Sequence, residues 1–393
     1  MGRILTPVVQ LCLVTLLARL SYQMARSPVL PRFAQELGAT PEFIGFILGA
    51  STLTGVIGKL PAGAFSDILG RKRMLLLGAF FFCGPPFLYP LVEEPISLLF
   101  LRFFHGLATA IFSPVASAAV AHLFREDRGE RLGWFSATGE MGSALGPLLG
   151  GVLLASTSSF VTTYLVVGAL GFLPFFFTAT LPVQDSPSLQ GEGRQERWKQ
   201  LRVGLSEVMK DRYILIVSVT EAFMFLGVGA LVGFLPLYAK EQGLSDAQVG
   251  LILGAQVASA MLGKPLTGRL SDRVGRKPMI LLGLFCCAGV LPFVALVGSF
   301  SILFVLCLIF GLGMALVTPS TTALVADLCR AGRYGSAMGV FGSIWDIGEA
   351  LGPIVAGFLV AGLGYAQAFT VIALIMVLGA FLFARVVRDP VRR

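Results

Sequence analysis

The chain has 393 residues, 55% hydrophobic and only 13% charged, with a formal net charge of +8 and a mean hydropathy of +0.83. A water-soluble domain carries about 25% charged residues, so a soluble enzyme is excluded as a starting point and a bilayer is the solvent to reason with. Crossing ~30 Å of hydrocarbon takes about 20 mostly apolar residues, and twelve crossings with short loops use nearly the whole chain.

Apolar runs predict membrane helices at 7–31, 43–66, 74–92, 96–123, 131–155 and 160–182, then at 212–238, 247–270, 279–298, 301–328, 334–361 and 365–387. Between the two sets, residues 183–211 are the longest polar stretch and predict a linker. The expected domains are therefore a bundle at 1–182, the linker, and a bundle at 212–393. Inside the linker, Trp198, Leu201, Leu205 and Val208 recur at helical spacing. That spacing suits a short helix on the membrane surface or a solvated linker equally.

Lys and Arg placement sets the orientation. With the N-terminus inside, the inner segments hold 22 of the 30 basic residues, and the outer loops hold only Arg32 and Lys240. Both termini and the linker are then cytoplasmic, in a plasma (inner) membrane. The same placement explains the net charge without nucleic acid. Cys12, Cys83, Cys286, Cys287 and Cys307 lie in apolar runs and read as small buried hydrophobes. Neither they nor His105 and His122 have metal-ligand spacing. No nucleophile–base pair or phosphate-binding loop stands out, so an enzyme is not expected.

GAFSDILGRKRM at 63–74 returns as GRLSDRVGRKPM at 268–279, 205 residues later. Comparing 58–78 with 263–283, 12 of 21 positions are identical. GLATAIFSP in the fourth span recurs as GLGMALVTP in the tenth at the same offset, and the fifth and eleventh spans match with an offset of 206. Two parallel repeats imply a pseudo-two-fold axis along the membrane normal, with a solute path where the halves meet. The repeated loop, with Asp67, Gly70 and Arg71 in one copy and Asp272, Gly275 and Arg276 in the other, resembles the signature loop of the major facilitator superfamily. The resemblance implies an all-α membrane protein of twelve helices in two pseudo-symmetric six-helix bundles. It also implies gating roles for the loop: Asp67 clasps the start of the eleventh span near Tyr334, and Asp272 the start of the fifth near Arg131.

The fifth span carries Gly133, Gly142, Gly146-Pro147 and Gly150-Gly151, similar to the antiporter signature of drug/proton exchangers; the bland alternative is small-residue helix packing. The eleventh has a weaker copy at Gly339, Gly348, Gly352-Pro353 and Gly357. LRFFHGLATA at 101–110 resembles the family's helix-4 pattern, whose arginine, here Arg102, is associated with proton coupling. His105 stands where that pattern has glutamine. Cys307 occupies the position of Arg102 in the second half, so the arginine is not a requirement of the fold.

A charge near the bilayer centre costs roughly 2.5–3.5 kcal/mol, so each needs a partner, a wet cavity or a function. The candidates are Arg19, Arg26, Arg102, Glu140, Glu221, Asp346 and Glu349. Glu140 and Asp346 are repeat equivalents. Arg19 falls at the depth of Glu140, which fits either an ion pair or a coupling role. Glu221 and Asp346 lead as proton-coupling groups, with Glu140, Glu349 and Arg102 behind them. Tetracycline-type exchangers carry an aspartate nine residues before a Pro-x-x-Pro; here Pro28 and Pro31 remain and the earlier position is Arg19, so an anionic cargo has room. Arg19, Tyr22, Arg26, Phe104, Phe223 and Tyr238 are the expected cavity residues, although membrane aromatics commonly serve packing instead.

These features predict a monomeric, proton-coupled secondary transporter that exports a small drug-like or metabolite solute by alternating access. Protons are its coupling ion, with no other cofactor and no metal. Transport of an anionic metabolite, a lipid flippase and a non-transporting receptor are the alternatives.

Overall fold

The structure is a computed structural model that describes residues 2–123, 128–181, 206, 208–329 and 334–387; for 2–6, 60, 63, 64, 67, 68, 122, 123, 128 and 129 it describes the backbone alone. Helices follow the apolar runs closely. The first half contains α1 (Gly2–Arg26), α2 (Val29–Glu36), α3 (Pro41–Leu69), α4 (Arg71–Cys83), α5 (Pro95–Leu123), α6 (Arg128–Thr157) and α7 (Phe160–Ala179). The second contains α8 (Arg212–Glu241), α9 (Asp246–Val274), α10 (Arg276–Val294), α11 (Phe300–Leu328), α12 (Tyr334–Leu363) and α13 (Tyr365–Val386). The expected surface helix of the linker falls almost entirely on residues outside the described set.

Two predicted spans are not single α-helices, and proline is the reason. The first breaks at Ser27-Pro28 into α1 and α2: Pro28 has no N–H to donate, and its ring disfavours the α conformation at the residue before it. The third gives way, at Pro85-Pro86, to a 3-10 turn over Pro85–Leu91. Elsewhere the chain marks its own starts. The Asp211 carboxylate accepts from the backbone N–H groups of Tyr213 and Ile214 at 2.9 and 3.3 Å. The Ser159 hydroxyl accepts from Thr162 N–H at 3.1 Å, satisfying donors that a helix start leaves open. Gly70 and Gly275, the repeat-equivalent glycines of the signature loop, sit at φ 93° and 111°. Side-chain-bearing residues rarely adopt that region, so each loop can turn directly from one helix into the next.

Among the described residues, eleven segments are long and apolar enough to cross a membrane. The remaining long helix, α6, has 30 residues but dilutes its apolar content with glycine, serine, Arg131 and Glu140. Large apolar side chains point outward, with Leu91 75%, Leu262 73% and Leu266 72% exposed. Such a surface is stable only against lipid or another apolar partner.

The chain forms two compact units: Met1–Leu189 with Gly243–Gly254, and Gln190–Gln242 with Ala255–Arg393. Each repeats the same packing. In the first, α1 lies along α6 and α7, and α4 along α5 and α7; in the second, α8 lies along α12 and α13, and α10 along α11 and α13. The duplication in the sequence is thus a duplication of tertiary contacts. The opening turns of α9 belong with the first unit, where Arg32 Nε meets Asp246 Oδ1 at 3.3 Å.

Candidate functional site

The two glycine seams set the geometry. In the first unit, Gly142, Gly146 and Gly150 bring α6 onto α1. A Cβ at Gly142 would overlap the Leu16 carbonyl oxygen, and one at Gly150 would stand 2.7 Å from that of Met24. In the second, Gly348 meets Ala222 and Gly352 meets Leu226, at the same residue offset of 126 between partner positions as Gly142 and Leu16. Glycines in the fifth and eleventh spans therefore serve helix packing in both units. Pro147 presents its carbonyl oxygen to Gly250, also within the first unit. Gly133 and Gly339, at the head of each pattern, have open space for 4 Å around the place a Cβ would take.

Glu221 projects from α8 into the interior of the second unit and is 0% exposed. Its Oε2 accepts a hydrogen bond from Thr321 Oγ1 of α11 at 2.8 Å, while Oε1 has no hydrogen-bond partner among the described atoms. Lys264 and Cys287 lie within electrostatic reach, and the Thr318 hydroxyl makes a further approach. No described cation closes a salt bridge to it. Asp346 is also buried, at 4% exposure, whereas Glu349 and Glu140 are half-buried.

The first unit buries the opposite charge. Arg102 is 0% exposed and donates to Ser51 Oγ at 2.6 Å and to Tyr89 Oη at 3.2 Å. His105 Nδ1 lies 3.3 Å from its Nη1 and 3.0 Å from Tyr89 Oη. Tyr22 offers its ring face at 5.5 Å, and Tyr89 stacks on Tyr164 at 4.1 Å. Among the described residues no carboxylate pairs with this guanidinium. Phenol and serine oxygens, an imidazole nitrogen and a ring quadrupole take the place of a counter-ion. Gly106 makes the cluster possible: a Cβ there would stand 2.6 Å from the Ser51 carbonyl oxygen, so only glycine lets α5 approach α3 this closely.

Arg19 donates to Ser113 Oγ at 3.2 Å, and its stem packs at Gly139 and Gly142. Ser113 and Thr318 are repeat equivalents, each followed by proline. Each unit therefore sets a charged residue of its first spanning helix near hydroxyls of its fourth. Sequence reasoning missed Ser113, Thr318, Thr321, Ser51, Tyr89 and Tyr164. The Ser-Pro and Thr-Pro pair in the aligned GLATAIFSP and GLGMALVTP segments was the available signal for two of them.

Three of the aromatics expected at a cavity are engaged inside their units. Tyr22 is buried against Phe82 and His105, and the Phe223 ring covers Gly379. Tyr238 donates to the Val297 carbonyl oxygen at 3.3 Å and leans on Tyr365. Phe104 is 57% exposed, on the face of α5 away from Arg102. Arg26 is half-buried.

In the second signature loop, Arg276 binds Asp272 of its own loop and reaches Asp327 Oδ2 at 3.3 Å. Lys277 Nζ donates to the Ala384 carbonyl oxygen at 2.5 Å. Within its own unit Asp272 is therefore held by Arg276, one helical turn away across the glycine. The side chain of Asp67 is outside the described set. Arg71 is half-buried at the start of α4. All six cysteines are unbridged, and among the described residues no three His, Cys, Asp or Glu side chains gather to hold a metal.

The sequence matches the family described as Major Facilitator Superfamily over residues 11–245 and 217–393. It is 27% identical to an uncharacterized MFS-type transporter of Methanocaldococcus jannaschii, covering 92% of this chain and 94% of that one. It is 25% identical to the multidrug resistance protein MdtG of Klebsiella pneumoniae, over 92% and 89% of the two chains. The fold superposes on a bacterial homologue of the human lysosomal transporter Spinster with a TM-score of 0.81, at 16% identity and 97% coverage of both chains.

Proposed function

Because the chain belongs to the major facilitator superfamily, we propose that it is a proton-coupled secondary transporter that exports a small organic solute by alternating access. The observation that carries this reading is Glu221: a carboxyl sealed inside an apolar span, hydrogen-bonded by the Thr321 hydroxyl with that of Thr318 close by, and in no salt bridge among the described residues. Such a group can exchange a proton when its surroundings change, and little else accounts for retaining it there. Glu221 is the leading proton-coupling group, with Asp346 second. Protons enter as the solute leaves. The placement of basic residues supports a plasma membrane location with both termini cytoplasmic, and the protein works as a monomer. A drug-like cargo draws its support from the relatives named for multidrug resistance. A second reading, an anionic metabolite, is favoured by the first unit, which buries Arg102 without a carboxylate and carries Arg19 and Arg26 besides.

Reconstituted protein in proteoliposomes with an imposed pH gradient tests both readings against a panel of cationic, neutral and anionic aromatic compounds. At least one compound is expected to move against its gradient with proton counterflow, and its charge chooses between the readings. Glu221→Gln should abolish pH-driven transport while leaving the protein in the membrane. Unchanged coupling in both Glu221→Gln and Asp346→Asn, or no flux of any compound, would end the proposal.

A further inference from the structure

The Thr321 hydroxyl occupies an unusual position. Its Oγ1 is 2.8 Å from Glu221 Oε2, 3.0 Å from the Val317 carbonyl oxygen and 3.0 Å from the Thr318 carbonyl oxygen. All three neighbours can accept, yet a hydroxyl has a single hydrogen to give and lone pairs to receive one. Back-bonding to its own helix is ordinary for a threonine, as Thr322 shows by donating to the Thr318 carbonyl at 2.7 Å. Thr321 differs in that the same oxygen is also the described hydrogen-bond partner of a sealed carboxyl. Both residues are 0% exposed.

We propose that Thr321 is the positioning residue for Glu221, its hydroxyl turning between the carboxylate and its own helix so that one side chain satisfies both protonation states. When Glu221 is ionised, Thr321 Oγ–H donates to Oε2. When a proton from solvent sits on Oε2, Glu221 donates to Oγ1, and the threonine hydrogen turns to the Val317 or Thr318 carbonyl. Thr321 neither gains nor loses a proton. The cost of stranding a buried polar atom is thereby avoided at Oε2 in both states.

A comparison inside the molecule supports the assignment. In the contact register that matches Leu16 on Gly142 with Ala222 on Gly348, the first unit has Thr15 in place of Glu221. Ala116 stands in place of Thr321, and Ala116 is fully buried. The fold therefore needs neither group; the acid and its partner hydroxyl occur together or not at all. The charged and titratable groups on the surrounding helices are few. On α10, Cys287 lies within reach of Glu221, with Cys286 beside it and Arg276 and Lys277 at the helix start. On α9, Lys264 lies within reach. On α12 there are Asp346 and Glu349. Cys307 and Asp327 are the titratable groups of α11, and α13 has Tyr365 and Arg385 near its ends.

This inference rests on Glu221 as the coupling carboxyl, and the test separates the two. Acid-induced difference infrared spectra of the detergent-purified full chain read the carboxylic C=O stretch directly and need no solute. Wild type should gain a band on acidification that Glu221→Gln lacks. Thr321→Val, nearly isosteric, should keep the band but move it to higher wavenumber, with its pH midpoint displaced by about one unit, the tenfold change expected for a hydrogen bond to an ionisable group. Thr321→Ser should restore both. Thr321→Ala, the residue at the matching site of the first unit, should act like Thr321→Val and guards against a folding defect peculiar to valine. A normal band in Glu221→Gln overturns the coupling assignment and this inference with it. A band lost in Glu221→Gln but unmoved in Thr321→Val and Thr321→Ala overturns this inference alone.

Discussion

Gly348→Ala is the sharpest test of how the two units are built. At this position α12 passes α8 so closely that a Cβ would overlap the Ala222 carbonyl oxygen and stand 2.6 Å from the Ala222 Cα. Backbone cannot rotate aside as a side chain can, so the helices must separate, which also loosens the Gly352 contact one turn on. Overpacking of this kind costs about 1–3 kcal/mol, against about 0.5–1 kcal/mol gained when alanine replaces glycine within a helix. The net loss is about 0–2.5 kcal/mol, towards the upper end because the clash is with backbone, and a unit of 150–250 residues converts each kcal/mol into about 2–4 °C of Tm. Gly339→Ala, on the same helix, meets nothing within 4 Å and should gain the propensity term alone, raising Tm by about 1–4 °C. Thermal unfolding of detergent-purified protein with a thiol-reactive fluorophore reads this well, because Cys83, Cys287 and Cys307 are buried and unbridged. Gly142→Ala and Gly133→Ala should repeat the contrast in the first unit. Two alanine variants that shift Tm in the same direction and by the same amount would refute the packing account.

Arg102→Lys keeps the charge but loses the fork that reaches Ser51 and Tyr89 together; it should lower stability by about 3 kcal/mol, the range for disrupting a buried charge network, measured as a Tm drop with Tyr89→Phe as a milder companion. Gly275→Ala forces a Cβ onto a backbone at φ 111°, so about 1–3 kcal/mol of strain should appear as a lower Tm, and Gly70→Ala should match it. A substantially smaller loss in either glycine variant would mean that the loop can re-form around a side chain.

The glycine stripe illustrates where reading residues in order succeeds and where it stops. Its spacing in the fifth span suggests an antiporter pattern or plain packing, and the structure has both units using the stripe for packing in one register, although the eleventh-span copy is degraded. The stripe alone therefore does not single out an antiporter, and the proposed function leans on Glu221 instead. The buried acids and Arg102 were legible because charges are rare in apolar spans. Their partners were not: Ser51, Tyr89 and Thr321 lie 51, 13 and 100 residues from the groups they bind, and polar side chains of that kind occur throughout membrane helices.

Hydropathy and the 205-residue repeat were enough to place the helices and the duplicated plan, because each follows from local chemistry, apolar length against lipid and a glycine at a tight turn. The breaks at Pro28 and Pro85 lie inside runs that hydropathy reads as continuous. Which hydroxyl meets which charge was decided only by tertiary structure. A side chain acquires a partner when two helices approach in a particular register, and glycines at the contact determine how near they come. That distance is a property of the packed pair, so neither stretch of sequence contains it separately.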